Sequence, residues 1–484
     1  MPRPMPPVPR SISRLPLSLL LALPACPGSG SDDEVGSEAT ESGSGSESGT
    51  DTGDTGTDTA DTGTLMGELI CEAGSTPVAG WTRHTLSDDL QGPAYLSSAD
   101  FDADGKQDLV SSEFGDFSVD GIVVTLSPGQ VHLSLQRDNL GCWERITIAD
   151  PQDDIYFPNE SEIADLDGDG DLDIVLAAGF FVCGFDPAVG ACGGLYVFVN
   201  QGDHFERRDI VHGASKFFHR PALVDFDGDG DLDIVTGQET NSGGDLIWYA
   251  GDGAGFFELE PRVIDTVTGT IPDIADIDGD GDLDIAVARY FGVTAELPGY
   301  MWWERTGEPS DANPAGTFVR HVISSDHGPG IMLRLTDELY GDGIMRAVAS
   351  NHVNQGNNPP DPNESAILVF EPGPDPTQPW TSTIISEGIL SVADEGLSIA
   401  DAPGVFDLGD ADQDGDLDVF LSGDGDPRTF WLEQTGKDTF TTHVIEDSLA
   451  QAGGGHAIDL DGDGDNDPVF TGYEDNRIYV YERE

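Results

Sequence analysis

From residue 81 onward, short apolar runs alternate with acidic turns, and the alternation repeats. In each repeat a first run leads into an acidic turn, as Ile163-Ala164 or Ala222-Leu223-Val224 do. A second run leaves it, as Ile174 to Ala177 does. A third is rich in aromatics: VHLSL from Val131, LYVFV from Leu195, LIWY from Leu246, YMWW from Tyr300, AILVF from Ala366, TFWL from Thr429 and IYVY from Ile478. A fourth opens on an aromatic: Trp143, Phe205, Phe257, Phe318, Trp380 or Phe440. Apolar runs this short, bounded by Gly and Asp, predict strands. Long helical patterns are absent. The turns begin at Asp100, Asp165, Asp225, Asp276, Glu338, Asp410 and Asp459, 49 to 72 residues apart. That spacing accommodates four strands and their turns and is too long for a solenoid coil.

The expected fold is therefore all-β: a seven-bladed β-propeller of four-stranded blades over residues 81–484. The ends of the repeat region support closure. The last repeat has three runs, and its missing fourth stands at the start, where WTRHTL from Trp81 matches FVRHVI from Phe318 and FTTHVI from Phe440. Pairing Trp81–Leu86 with Ile478–Tyr481 would close the ring and leave few exposed edges.

Composition adds the chemistry. The 484 residues hold 21 Lys+Arg against 91 Asp+Glu, a formal net charge of −70. Nucleic acid is excluded as a partner, because its phosphates would be repelled. Residues 1–26 read as an export signal: Arg3, Arg10 and Arg14 precede the apolar run Leu15 to Leu23, too short to span a bilayer. The run ends in Leu23-Pro24-Ala25-Cys26, similar to a bacterial lipobox with Cys26 as the lipidated residue, though Pro24 is an unusual occupant. The expected location is the outer membrane or cell surface, with the membrane reached only through the lipid; the alternative is ordinary cleavage and secretion. Residues 27–64 are almost wholly Ser, Gly, Thr, Asp and Glu and read as a disordered linker. Residues 65–80 form a lead-in. Setting Cys26 aside leaves four cysteines, an even number that suggests two disulfides in an exported chain. Cys183 and Cys192 bracket one Gly-rich loop, and Cys71 with Cys142 follows by elimination; free buried thiols are the alternative.

Six of the turns follow D-x-D-x-D-G-x-x-D. Calcium takes six to eight oxygens in flexible geometry. Asp at positions 1, 3 and 5 supplies carboxylates: Asp100, Asp102, Asp104; Asp165, Asp167, Asp169; Asp225, Asp227, Asp229; Asp276, Asp278, Asp280; Asp410, Asp412, Asp414; and Asp459, Asp461, Asp463. Gly at position 6 permits a sharp turn. Position 7 offers a backbone carbonyl, from Lys106, Asp171, Asp231, Asp282, Asp416 and Asp465. Position 9 is expected to close the cage with Asp108, Asp173, Asp233, Asp284, Asp418 and Asp467. Six registered copies point to about six Ca²⁺ ions rather than to solvated turns, with a scaffold role. An EF-hand needs Glu at position 12, where these copies have Ser111, Leu176, Thr236, Val287, Leu421 and Phe470. In the fifth repeat Glu338, Tyr340, Asp342 and Gly343 keep part of the pattern, and Arg346 replaces the last Asp. That blade is expected to be metal-free.

The acidic loop and the apolar strand after it resemble FG-GAP/VCBS-type repeats, the calcium-bearing blades of the integrin α-subunit propeller and related bacterial exported proteins. The literal Phe-Gly…Gly-Ala-Pro signature is not seen, so integrin-specific recognition does not carry over. The resemblance implies that ligands meet the face of the 4–1 and 2–3 loops, opposite the acidic loops. There the candidates are Tyr156, Phe157, Asn159, Phe218, His219, Arg220, His327 and His456. Tyr290, Phe291, the Cys183–Cys192 loop and the Asn-rich stretch from Asn351 to Asn358 join them from the 2–3 loops. The competing reading is that these aromatics plug the channel. Trp248, Trp302 and Trp431 share one position in the third strand and read as inter-blade core rather than a sugar platform. His84, His321 and His443 recur at one place in the fourth strand, which marks repeat inheritance. No H-E-x-x-H, G-x-S-x-G or Walker-type motif occurs. The expectation is a non-catalytic surface binding or adhesion module for a glycan or protein ligand. The alternatives are a lectin and a polysaccharide lyase or dehydratase on a propeller scaffold.

Overall fold

The computed structural model describes residues 65 and 67–483, apart from 116, 121–122, 181–182, 184–189, 311–312, 353–354, 357–365, 387–398, 401–402, 424–426 and 450–451. The export signal with Cys26 and the linker 27–64 lie outside the described residues.

Seven antiparallel sheets form the blades of a propeller. Blade 1 runs Pro93–Ala99, Asp108–Glu113, Gln130–Gln136 and Cys142–Ala149 from the axis outward. Pro158–Ala164, Ala222–Val224, Ile271–Ala275, Gly330–Thr336 and Pro403–Gly409 open blades 2 to 6. Blade 7 takes Ala452–Ile458, Asp467–Gly472 and Arg477–Arg483 from one end of the chain and Trp81–Ser87 from the other. The closing register runs from Trp81 opposite Arg483 to Ser87 opposite Ile478, as the repeat pattern predicts.

The apolar runs are continuous because each blade is buried on both sides. Successive side chains of a strand point to opposite faces. In blade 2, Ile174, Leu176 and Ala178 therefore pack against blade 1, while Val175 and Ala177 pack against blade 3. One such apolar cluster fills every junction between neighbouring blades around the ring. Trp248, Trp302 and Trp431 belong to three of these junctions and are at most 7% exposed.

Blade 3 departs from the pattern. Its outer strand is Arg262–Asp265, not a strand opening on Phe257. Phe257 makes an isolated bridge with Gly251 instead, which closes a turn before Pro261 restarts the extended chain. The lead-in adds a fifth strand to two blades: Glu68–Cys71 pairs with Cys142–Ala149, and Thr76–Val78 pairs with Trp81–Ser87. Disulfides join Cys71 to Cys142 and Cys183 to Cys192.

Candidate metal centres and the two faces of the ring

Each acidic loop is folded by its own carboxylates. The position-6 glycines Gly105, Gly170, Gly230, Gly281, Gly415 and Gly464 have φ between 86 and 100°, a region a side chain disfavours. In the first five, that glycine's N–H donates to the position-1 Asp at 2.9 to 3.1 Å. The position-7 N–H donates to the position-5 Asp, as Asp171 does to Asp169 at 2.9 Å. Carboxylate oxygens of Asp100, Asp102 and Asp108 all lie within 4.8 Å of one another. The same holds for Asp165, Asp167 and Asp173; Asp276, Asp278 and Asp284; Asp410, Asp412 and Asp418; and, with position 5 in place of 9, Asp225, Asp227 and Asp229.

Position 9 does more than close a cage. Asp173 accepts from the Leu166 N–H in its own loop and from the Asn200 N–H in the third strand, both at 2.8 Å. Asp108, Asp233, Asp284 and Asp418 repeat this staple. Among the described residues Asp467 accepts from the Leu460 N–H at 3.0 Å, and its Oδ1 has no partner. The buried start of the second strand makes this Asp a structural acceptor as well, and Asp108, Asp173, Asp284 and Asp418 also belong to the carboxylate clusters.

These carboxyls resist ionisation without a cation. Burial first, then the neighbouring carboxylates, pushes Asp467 up to about 8 and Asp108 and Asp284 up to about 7. Asp173, Asp233 and Asp418 rise to about 6, chiefly through burial. A hard cation with oxygen ligands reverses this penalty. The donor set, all oxygen and all acidic, fits Ca²⁺.

Blade 5 supplies its own cation. The fully buried Arg346 donates to Asp342 and, through Nε, to Glu371 Oε2 at 2.8 Å, and its guanidinium lies 4.6 Å from the Tyr340 ring centroid. Arg346 thereby holds the Asp342 carboxyl well below the usual range.

Residues that sequence reasoning did not assign also border the loops. Glu304, Glu433 and Glu482 accept from His321, His443 and His84 at 2.7 to 2.9 Å. Each also raises the position-3 Asp of its own blade: Asp278, Asp412 or Asp461. The signal was present: a W-x-E or V-x-E triplet recurs in the third strand, its first residue opposite a recurring His and its Glu two positions further on. Arg305 donates to the Phe226 carbonyl at 2.7 Å and Arg483 to the Ala411 carbonyl at 3.0 Å, each bracing the acidic loop of the preceding blade.

The opposite face is closed by aromatics. Phe114, Phe157, Phe180, Phe217 and Tyr473 form one buried cluster, with Tyr156 and Phe291 packed against it. Phe157, Asn159, Phe218 and His219 are each at most 4% exposed, so they do not present themselves to a ligand. Asn159 Nδ2 donates to the carbonyls of Gly179 and Phe218, both at 2.7 Å, and His219 pairs with Glu239 at 3.1 Å. The reason is burial: the plug needs apolar rings, and its backbone turns need the amide. His327 bonds Ser382 at 2.9 Å at the rim. Arg220 and His456 face the axis, not the outer face.

Ring, blades and acidic loops define a seven-bladed propeller with a crown of candidate cation sites. Residues 165–236, 225–287 and 410–482 match the FG-GAP-like repeat, so three stretches of the propeller are similar to that repeat. No curated protein matches it. Solved structures with a similar fold include BBS1N in complex with ARL6DN, soaked with mercury, at 10% identity and a TM-score of 0.49, covering 84% of this chain and 98% of that one. Another is the Dos1 propeller, at 8% identity and a TM-score of 0.45, covering 84% of this chain and 95% of that one.

Proposed function

We propose that this chain is a non-catalytic binding module, exported and held at the cell surface by a lipid on Cys26, whose ring is stabilised by Ca²⁺ in six acidic loops. The observation that carries the calcium reading is the recurrence of registered carboxylate clusters whose burial penalises their charge. A site filled at about tenfold above its dissociation constant adds ~1.4 kcal/mol, so six add roughly 8 kcal/mol. That is comparable with a typical whole stability of about 5–15 kcal/mol. The positions 1, 3 and 5 of each loop, with the bordering position 9, would hold the ion; the ion supplies charge neutralisation and cross-links the loop.

A protein partner is favoured over a glycan, because the three tryptophans suited to a sugar platform are buried between blades. Chelation with EGTA, followed by thermal melting, tests the scaffold. The melting temperature is expected to fall by many degrees and to recover with added calcium; an unmoved midpoint removes the reading. A glycan array tests the partner: saturable binding to one glycan class would turn the assignment toward a lectin.

A further inference from the structure

The axis of the ring holds a cavity of about 290 Å³, at the small end of ligand pockets, which run from roughly 300 to 1,000 Å³. Its wall is built from the first strands of blades 1, 2, 5, 6 and 7, with Arg220 entering just before that of blade 3. Tyr95 both lines it and packs against the aromatic plug, so the plug caps one end. The charged groups on the wall are Glu160, Glu162, Arg220, Arg334, Asp407 and His456.

Most of these groups satisfy one another. Arg220 Nε donates to Glu162 at 2.7 Å, and Nη1 reaches Asp273 at 3.4 Å. His456 sits between Asp407 and Ser98, both at 2.8 Å. Two groups are joined only by longer ion pairs and keep hydrogen-bonding capacity unfilled. Glu160, with a tenth of its side chain exposed, has its nearest guanidinium nitrogens at 3.6 Å on Arg220 and 3.8 Å on Arg334, outside hydrogen-bond range. Arg334 Nη1 is buried and has no hydrogen-bond partner among the described residues.

Glu160 and Arg334 thus face each other on the cavity wall as a long ion pair at 3.8 Å, with no hydrogen bond between them. Leaving the hydrogen-bonding capacity of buried charged groups unfilled is costly. A simple cation would leave Arg334 open. A simple anion would face Glu160, Glu162 and Asp407. A molecule with both charges on adjacent atoms answers both groups. We propose that the axial cavity binds a small zwitterion with an α-amino acid head group, its carboxylate on Arg334 Nη1 and its ammonium on Glu160. Entry is from the acidic-loop face, since the plug closes the other. The site is distinct from the candidate metal loops and does not depend on the identity of a surface partner.

The test is calorimetric titration of the calcium-loaded full chain with glycine and L-alanine, against methylamine, acetate and D-glucose. Saturable binding is expected for the amino acids, at least about tenfold tighter than for either half-molecule or the sugar. Arg334→Gln and Glu160→Gln should each weaken amino acid binding by about tenfold or more while keeping the wild-type circular dichroism. The proposal is overturned if neither amino acid binds, if methylamine, acetate or glucose binds as well, or if both folded variants bind like wild type. Should both variants unfold, the ligand series on the wild type decides alone.

Discussion

Arg346 donates from Nη1 and Nη2 to the two carboxylate oxygens of Asp342, at 2.6 and 2.8 Å. This pair occupies, in blade 5, the register where the other loops gather carboxylates. A fixed side-chain cation stands where they would need a diffusible one. Restoring the acidic pattern should reverse the exchange. In the Tyr340→Asp/Arg346→Asp double variant, native mass spectrometry in calcium is expected to count one bound ion more than in wild type. An unchanged count contradicts the assignment. Arg346→Met alone should lower the melting temperature, by leaving Asp342 and Glu371 without their shared partner, and added calcium should not restore it.

The first loop carries a defect that substitution can relieve. Position 4 is Gly168, Gly228, Gly279 and Gly462 in four loops, with φ of 74 to 79°, but Ala103 in the first, at φ 55°. An L-residue there costs roughly 1 kcal/mol. Ala103→Gly is expected to stabilise the protein by about 0.5–1 kcal/mol, less the added entropy of the unfolded chain, and urea unfolding measures it. Gln413, at φ 58°, is a poorer test because its side chain donates to the Asp463 carbonyl at 3.2 Å.

The axial charges set a pH dependence. Burial pushes the Glu160 carboxyl up to about 7, against the pull of Arg220; Glu162 and Asp407 add to the rise, and His219 opposes it. Arg334 faces it at 3.8 Å. Between the unfolded value of 4.5 and about 7 the folded chain keeps a proton that the unfolded chain has lost. This contribution to stability is therefore complete below 4.5 and declines as pH rises through 7. Glu160→Gln should flatten that part of the stability profile. Thermal melts at fixed calcium across pH 5 to 8 would show it, and an unaltered slope would refute the assignment.

The lead-in disulfide joins positions 71 residues apart. By loop-closure entropy, removing it with Cys71→Ser/Cys142→Ser costs about 4 kcal/mol. The loss with Cys183→Ser/Cys192→Ser should be smaller, because those two cysteines are only 9 positions apart. Denaturant midpoints rank the two; equal losses would mean that strain or residual structure, not closure, dominates.

Much of the ring was legible in the sequence because period-2 burial on both faces writes continuous apolar runs, and a repeated turn fixes their register. The closing pairing of Trp81–Leu86 with Ile478–Tyr481 followed from a single displaced motif, and the structure extends it to Trp81 opposite Arg483. Phe257 misled because an aromatic at the right distance after Leu246 looks like a fourth strand, while only Pro261 hinted that the chain restarts later. Phe157, Asn159 and Phe218 were expected on the ligand face from their places in the repeat, but whether such a side chain points out or inward depends on the packing of the other blades, and all three are buried. The axial pair Glu160 and Arg334 lies 174 positions apart, on blades 2 and 5. No local pattern could have brought them together.

Ring closure at blade 7 has a mechanical consequence. Any pull arriving from upstream of the lead-in enters where the two termini of the repeat array meet. Glu68–Cys71 lies on blade 1, and the Cys71–Cys142 bond holds it there. Tension therefore passes first into a covalent bond on blade 1 rather than peeling Trp81–Ser87 from Arg477–Arg483. The non-covalent closure of the circle is thereby shielded from a pull that arrives through the residues before the lead-in.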